Sequence, residues 1–253
     1  MYPVERQRWL IDAARQRGSI DVPQVAEELG VAVETIRRDL SHLESRGLVR
    51  RVHGGAIPVE KLGYENTLVA RSHVNSAEKQ DIARAALALV ADTETIFIDE
   101  GASTLAFAEA LVPDKPMTVV TSSLPVASKL SLHEKLTVFI LGGRVRGRTL
   151  GAVDDFATGM LSNFVLDAAI LGTNGATKQY GLTCPDASVA AVKRAAIAAS
   201  RRSIVLADRS KIGSDSSIKF ADLHDIDALV TERKVAENLL QPFRKVGVNV
   251  IQT

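Results

Sequence analysis

Apolar residues recur along this chain with two different periods, and the change of period divides it. In residues 6–17, Trp9, Leu10, Ala13 and Ala14 form one stripe of a helix, and residues 22–29 fit a second, shorter helix that ends at Gly30. A tight turn through Val31 and Ala32 leads to a third helix over 33–46. There Ile36, Leu40 and Leu43 fall at helical spacing and turn inward, which leaves Thr35, Arg37, Arg38, His42 and Arg46 outside. The run Leu48 to Val52, the turn His53-Gly54-Gly55 and the run 56–59 then predict a two-stranded hairpin, with the glycines supplying positive φ. Helix, turn, helix and wing is the expected order of this first unit.

Residues 60–76 show no clear period and read as a linker or an irregular first element. From Ala77 onward helical and strand-like segments alternate. Helices are expected near 77–91, 103–111, 124–131, 153–162, 186–200 and 233–240. Between them lie seven short apolar runs, at 96–98, 119–120, 138–141, 168–171, 204–207, 229–230 and 248–251. Short β-branched runs between helices indicate a mainly parallel sheet covered on both faces. The expected fold class is therefore α/β, with a small winged helix-turn-helix domain (1–58), a linker (59–76) and a larger α/β domain (77–253).

Composition changes this picture little. At 253 residues and 46% hydrophobic the chain is long enough for one large core and a small satellite. The net charge of +1 does not announce a nucleic-acid partner, but charge is distributed unevenly: residues 33–58 hold five arginines against three acids. The single cysteine, Cys184, excludes an intramolecular disulfide and zinc clusters built from several cysteines. No apolar run approaches the ~20 residues of a membrane span. A soluble, cytoplasmic protein is the expectation.

Two constellations carry chemistry. The third helix of the first unit can enter the major groove, where arginine pairs bidentately with guanine, while Arg50, Arg51 and the turn amides at His53 and Gly54 meet phosphates. The expected DNA-binding set is Thr35, Arg37, Arg38, His42, Arg50, Arg51, His53 and Gly54. The second constellation is the series of strand ends in the α/β unit. They run into Asp99 to Thr104, Thr121-Ser122-Ser123, Gly142-Gly143-Arg144, Gly172 to Gly175 and Asp208 to Lys211. Ligands of open α/β sheets bind at such ends, where helix N-termini present backbone N–H groups. Ser103, Thr104 and Lys211 suit a phosphate, and the mixture suits a small phosphorylated polyol or sugar. Taken singly, Ser103 and Thr104 also suit plain helix caps, Gly142-Gly143 a turn, and Lys211 a solvated charge.

Residues 3–58 resemble the N-terminal domain of DeoR-type bacterial transcriptional repressors. The resemblance rests on Glu5-Arg6-Gln7-Arg8, the run Thr35-Ile36-Arg37-Arg38-Asp39-Leu40 and the wing Arg50-Arg51-Val52-His53-Gly54-Gly55-Ala56. Ala32 stands where the family usually has Ser, a lost N-cap worth roughly 1 kcal/mol. Residues 75–235 resemble the sensor domain of the same family, whose fold is similar to ribose-5-phosphate isomerase and which binds phosphorylated sugars or sugar-pathway intermediates. That resemblance rests on Glu78-Lys79, Ile98-Asp99 with Gly101 and Ser103-Thr104, Leu141-Gly142-Gly143, Gly175 with Gly181-Leu182-Thr183, and Leu206-Ala207-Asp208 with Ser210-Lys211. It implies effector contacts at Gly101, Ala102, Ser103, Thr104, Thr121, Ser122, Ser123, Gly142 and Lys211, with Lys79 and Asn174 beside them. Asp99, Gly143 and Gly175 complete the expected site. Ala102, Ser122 and Asn174 depart from the usual Thr, Asn and acid, which bears on which effector is bound.

The function implied is a repressor of a carbohydrate catabolic operon whose DNA binding is set by a phosphorylated sugar or polyol. The competing reading is a sugar-phosphate isomerase with an accessory DNA-binding head. It needs a carboxylate base, which Asn174 cannot supply and Asp99, Glu100 or Asp208 could. No catalytic residue, metal or cofactor is expected. The expected partners are operator DNA, the effector and a second copy of the chain, as homodimer or homotetramer, because one winged head reads about half a site.

Overall fold

The computed structural model describes residues 2–45, 48–52, 54–58 and 67–253. The chain parts into two compact units, Met1–Ala70 and Arg71–Thr253.

In the first unit, α1 (Pro3–Arg17), β1 (Ile20–Asp21), α2 (Val22–Leu29) and α3 (Val33–Ser45) are followed by β2 (Val49–Val52) and β3 (Gly55–Pro58). Asp21 caps α2 by accepting from the Gln24 amide, and Gly30 ends it in the left-handed conformation. The core is the expected one: Leu10, Ala14, Ile36, Leu40 and Leu43 are buried together with Ile20, Val25, Val49 and Ala56. Trp9 is only partly buried, with the Arg17 guanidinium 5.2 Å from its ring centroid.

Two features of the wing differ from expectation. The sheet has three strands, in the order β1-β3-β2, because Ile20–Asp21 pairs antiparallel with Ala56 and Gly55. A two-residue strand leaves no periodic signal in sequence. Gly54 has φ of 81°, as the turn requires, but Gly55 does not: it is glycine because β1 crosses it, and a Cβ there would lie 1.9 Å from the Ile20 carbonyl oxygen.

The second unit begins within α4 (Leu68–His73), a six-residue helix inside the stretch 60–76 where no period was legible; residues 59–66 of the expected linker lie outside the described residues. Next come α5 (Ser76–Leu87), β4 (Thr95–Ile98), α6 (Ala102–Ala110), β5 (Met117–Thr121), α7 (Leu124–Leu130) and β6 (Leu136–Ile140). A hairpin, β7 (Arg144–Arg146) and β8 (Gly151–Val153), precedes α8 (Asp155–Leu161) and β9 (Ala168–Gly172). The remainder is β10 (Gly175–Thr177), β11 (Gly181–Cys184), α9 (Ala187–Ala199), β12 (Ser203–Leu206), β13 (Ile218–Ala221), β14 (Ala228–Thr231), α10 (Glu237–Lys245) and β15 (Asn249–Gln252).

All seven apolar runs form one sheet, ordered β15-β14-β12-β9-β4-β5-β6, with every neighbouring pair parallel. Alternation along β4 shows how both faces are filled. Ile96 and Ile98 pack with Ile82 of α5 and Phe107 of α6, whereas Phe97 packs with Leu161 of α8, Val189 of α9 and Phe243 of α10. All are essentially inaccessible to water, as a doubly covered parallel sheet demands.

Outside this sheet the expectations needed correction. The helix expected at 153–162 starts at Asp155, because Gly151–Val153 is a strand paired with Arg144–Arg146. The helix expected at 233–240 runs from Glu237 to Lys245, straight through Pro242, since burying Leu240 and Phe243 outweighs local propensity. A small antiparallel sheet, β10-β11-β13, was not foreseen.

Candidate functional site

In the first unit Arg37, Arg38 and His42 are exposed on α3, and Thr35 is half-buried at its start. Arg37 makes a long contact with Glu34, 3.4 Å away on the same helix, and its side chain is more than half exposed. Asp39, within the same six-residue run, has a different task. It is buried, and it accepts from Arg6 Nε at 2.5 Å and from Gln7 Nε2 at 2.9 Å, which ties α3 to α1. Arg51 is exposed, but it is also held in place: its amide donates to Glu44 and its guanidinium to the Ser41 hydroxyl at 3.0 Å. Gly54 is exposed, and a Cβ there would meet nothing within 4 Å. His53 and Arg46, with the side chain of Arg50, lie outside the described residues.

In the second unit the carboxyl ends of β4, β5, β9 and β12 carry most of the other expected residues. Gly101, with φ of 139°, is the N-cap of α6, and Ala102 and Thr104 behind it are buried while Ser103 is partly accessible. The Thr104 hydroxyl donates to the Gly101 carbonyl at 3.0 Å, so it shapes the loop. Thr121 is likewise structural: its hydroxyl donates to the Ile98 carbonyl at 2.6 Å and accepts from the Ser123 amide. Ser123 caps α7 through the Val126 amide. Ser122 is different, since its Oγ is buried and has no hydrogen-bond partner among the described residues. An unsatisfied buried hydroxyl of this kind is costly, which sets Ser122 apart from Thr121 and Ser123 on either side of it.

Glycines in the expected set divide in the same way. Gly143 lies against the Val153 carbonyl, where a Cβ would approach to 2.3 Å, and Gly175 against Ser214 and Asp215, where one would approach to 2.5 Å. Both permit close backbone packing, and Gly175 is the first residue of a strand that runs beneath that loop. Gly142 is exposed with open space around it. Asn174 is half-buried, its amide donating to the Thr183 carbonyl. An open depression of about 440 Å³ beside Gly143 is lined by Arg144, Asp154, Asp155 and Phe156 and shares only that glycine with the expected set.

Three buried ionic groups hold these ends together; sequence reasoning named Asp99, Glu100, Lys79 and Asp208 but missed Lys193, Arg146 and Asp186. Asp99 is fully buried; its Oδ2 accepts from the Lys193 ammonium and from the Gly172 amide at 3.0 Å, and its Oδ1 has no partner among the described residues. Lys193 also donates to the Gly172 carbonyl at 2.8 Å. It sits in the apolar stripe of α9, between Val189 and Ala196, and a lone lysine in such a stripe was the available signal. Glu100 is buried beneath Gly151, which has no room for a Cβ, and it accepts from Thr149 and from Arg146, 3.3 Å away. Arg146 also pairs with Asp186 at 3.2 Å, so the β7–β8 hairpin is fastened to the end of β4 and the start of α9.

The third group surrounds Asp208. Lys79, 6% exposed, lies 3.7 Å from it and donates to the carbonyls of Arg71 and Val74. Ser210 donates to the same carboxylate through amide and hydroxyl, and Asn75 through its side-chain amide at 3.4 Å. Burial pushes the Asp208 carboxyl up, but the charge of Lys211, the Ser210 hydroxyl and Lys79 outweigh it, so its pKa stands below the ordinary value. Lys79 is lowered, first by burial and then by the like charges of Lys211 and Arg71, against the pull of Asp208. Among the described residues, the set Asp222, His224 and Asp225 has metal-ligand spacing, but Asp222 is engaged by Lys219 and by its own capping turn.

Comparison with known proteins settles the family. Residues 6–61 match the DeoR-like helix-turn-helix domain and residues 74–233 the DeoR C-terminal sensor domain. The chain belongs to the DeoR family of transcriptional regulators. It is 32% identical over 251 residues to the HTH-type transcriptional regulator GlpR of Haloferax volcanii, covering 99% of this chain and 98% of that one. It is 30% identical over 241 residues to the glycerol-3-phosphate regulon repressor of Escherichia coli, covering 95% of each. Among solved structures it is similar to ribose 5-phosphate isomerase A of Methanocaldococcus jannaschii, with 16% identity, 54% of each chain covered and a TM-score of 0.38. A DeoR-family chain with a DNA-binding head is a regulator and not an enzyme, so the isomerase reading falls. No helix among the described residues is long and apolar enough to cross a membrane.

Proposed function

We propose that this DeoR-family regulator represses a carbohydrate catabolic operon and that a phosphorylated sugar or polyol, bound at the carboxyl ends of β4, β5 and β12, sets its hold on operator DNA. The observation that carries the reading is the Lys79–Asp208 pair, 3.7 Å apart, with Lys211, whose amide donates to the Asp208 carbonyl, in the turn that follows, in the same unit as the N-terminus of α6 and the unpaired Ser122 hydroxyl. Cations and helix-terminal amides suit a phosphate; half-buried Asn174 and the Ser122 hydroxyl suit the polyol that it carries. In this reading Arg37 and Arg38 meet base edges and phosphates, Arg51 and Gly54 meet phosphates, and residues 59–76 join reader to sensor. The protein works in the cytoplasm as a homo-oligomer that brings two heads to paired half-sites.

The test is a thermal-shift screen of the full chain against phosphorylated sugars and glycerol phosphates, followed by gel shifts on genomic fragments that the protein selects. A compound at 100 times its dissociation constant adds roughly 2.7 kcal/mol of stability. The expected result is one phosphate monoester that stabilises the chain and releases DNA, with Lys211→Ala abolishing both effects while sparing DNA binding. Stabilisation by the unphosphorylated sugar alone would overturn the reading.

A further inference from the structure

Arg71 belongs to none of the motifs that sequence singled out, yet it is the first residue of the sensor unit and stands in α4, at the end of the chain segment that leads from the head. Its guanidinium reaches the mouth of the phosphate loop: Nη2 lies 3.8 Å from where a Cβ on Gly101, the N-cap of α6, would stand. Its carbonyl, meanwhile, accepts from the buried Lys79 ammonium at 3.0 Å, and the Val74 carbonyl accepts from the same ammonium. Lys79 in turn pairs with Asp208, and Asn75, in the left-handed conformation between α4 and α5, donates to that carboxylate. The α4–α5 joint is thus anchored to the end of β12 by one buried ammonium, and its arginine extends over the end of β4. At the end of the adjacent strand β5, the buried Ser122 hydroxyl has no hydrogen-bond partner among the described residues.

We infer that Arg71 is a direct ligand of the effector's phosphate and that, through it, occupancy of the site fixes the α4–α5 joint at the base of the connection to the head. The inference rests on the sugar-phosphate reading above and adds to it the route by which binding is felt. An anion placed between the α6 N-terminus and Lys211 draws the Arg71 side chain onto itself. Because the Arg71 and Val74 carbonyls are already held by Lys79, that pull is borne by the α4 backbone rather than by a loose side chain. A ligand alters an equilibrium only through contacts that differ between its states, and Arg71 supplies one such contact on the segment that must change.

The experiment uses the full chain with glycerol 3-phosphate and, as the minimal probe, inorganic phosphate. Hydrogen exchange of peptides covering 67–80 and 101–105 is followed with and without each probe, alongside titrations of wild type, Arg71→Ala and Arg71→Lys. The expected result is slowed exchange in both peptides of wild type. For Arg71→Ala the affinity falls at least tenfold and the 67–80 effect disappears while that at 101–105 persists at saturation; Arg71→Lys recovers part of both. Melting curves without probe show that the variants fold. Equal affinity and unchanged 67–80 protection in Arg71→Ala overturn the role of Arg71 and leave the site standing. No protection at 101–105 in wild type with any phosphate overturns the site and this inference together.

Discussion

The two units of this regulator place charge in opposite ways. In the head, Arg37, Arg38, His42 and Arg51 stand on the surface, and the buried charge described there is the Arg6–Asp39 pair that holds α1 to α3. In the sensor, Lys79, Lys193, Asp99, Glu100 and Asp208 are all buried at strand ends. The difference matches the two partners proposed above. A DNA duplex cannot enter a domain, so side chains that face it must project, as Arg37, Arg38 and Arg51 do. Charges buried at strand ends have lost water and are held by one another, each acid beside a cation or a hydrogen-bond donor.

The comparison is most severely tested at Lys193. Lys193→Ala leaves the Asp99 carboxylate buried with one oxygen already unpaired, and removal of one partner of a buried pair costs about 3–5 kcal/mol. Calorimetry should show the sensor transition falling sharply while the head's DNA affinity per folded molecule stays the same. A sensor transition within a degree of wild type would mean that the pair is not what organises these strand ends.

Asp39→Ala is the counterpart in the head. Although Asp39 lies within the arginine-bearing run, it is buried, so its removal should destabilise the head by about 2–3 kcal/mol through loss of the bonds it accepts from Arg6 and Gln7. DNA binding should then be lost on warming, well before the sensor unfolds. Loss of binding at low temperature from a fully folded Asp39→Ala head would make Asp39 a reading residue instead.

Arg37→Ala and Arg38→Ala should each weaken operator binding by about 1–3 kcal/mol with no change in melting, as expected of exposed side chains. The variant that loses a phosphate contact should also show a shallower dependence on salt. If either variant shifts the melting temperature as much as Asp39→Ala does, the head does not keep reading and folding on separate residues.

The smallest effect concerns pH. Asp208 is lowered despite its burial, chiefly by Lys211; Asp186 is lowered despite its burial by Ser188 and Arg146; Asp167 is lowered by the amide of Glu94 first. A carboxyl with a folded pKa below its unfolded value stabilises fully above the unfolded value of about 3.9 and loses that contribution as pH falls through the folded one. Sensor stability should accordingly hold from neutrality to about pH 4 and decline below it. A decline that starts near pH 6 would point to histidine rather than to these carboxylates.

Much of the molecule was legible in the sequence, because the relevant forces act locally or repeat along the chain. Period fixed the three helices of the head and all seven parallel strands, since a buried stripe or run must be apolar whatever surrounds it. The exposed arginines of α3 were legible for the same reason: once Ile36, Leu40 and Leu43 face inward, geometry leaves Arg37 and Arg38 outside. What the sequence could not carry were the pairings made between distant segments. Lys193 meets Asp99 across 94 positions, Lys79 meets Asp208, and Arg146 meets Glu100 and Asp186. Each pairing brings a buried charge to a distant partner, and nothing local to either residue names that partner. The wing glycine, Gly55, teaches the same lesson in steric terms: composition marked it as a turn residue, but only the crossing of Ile20 explains why no side chain can stand there.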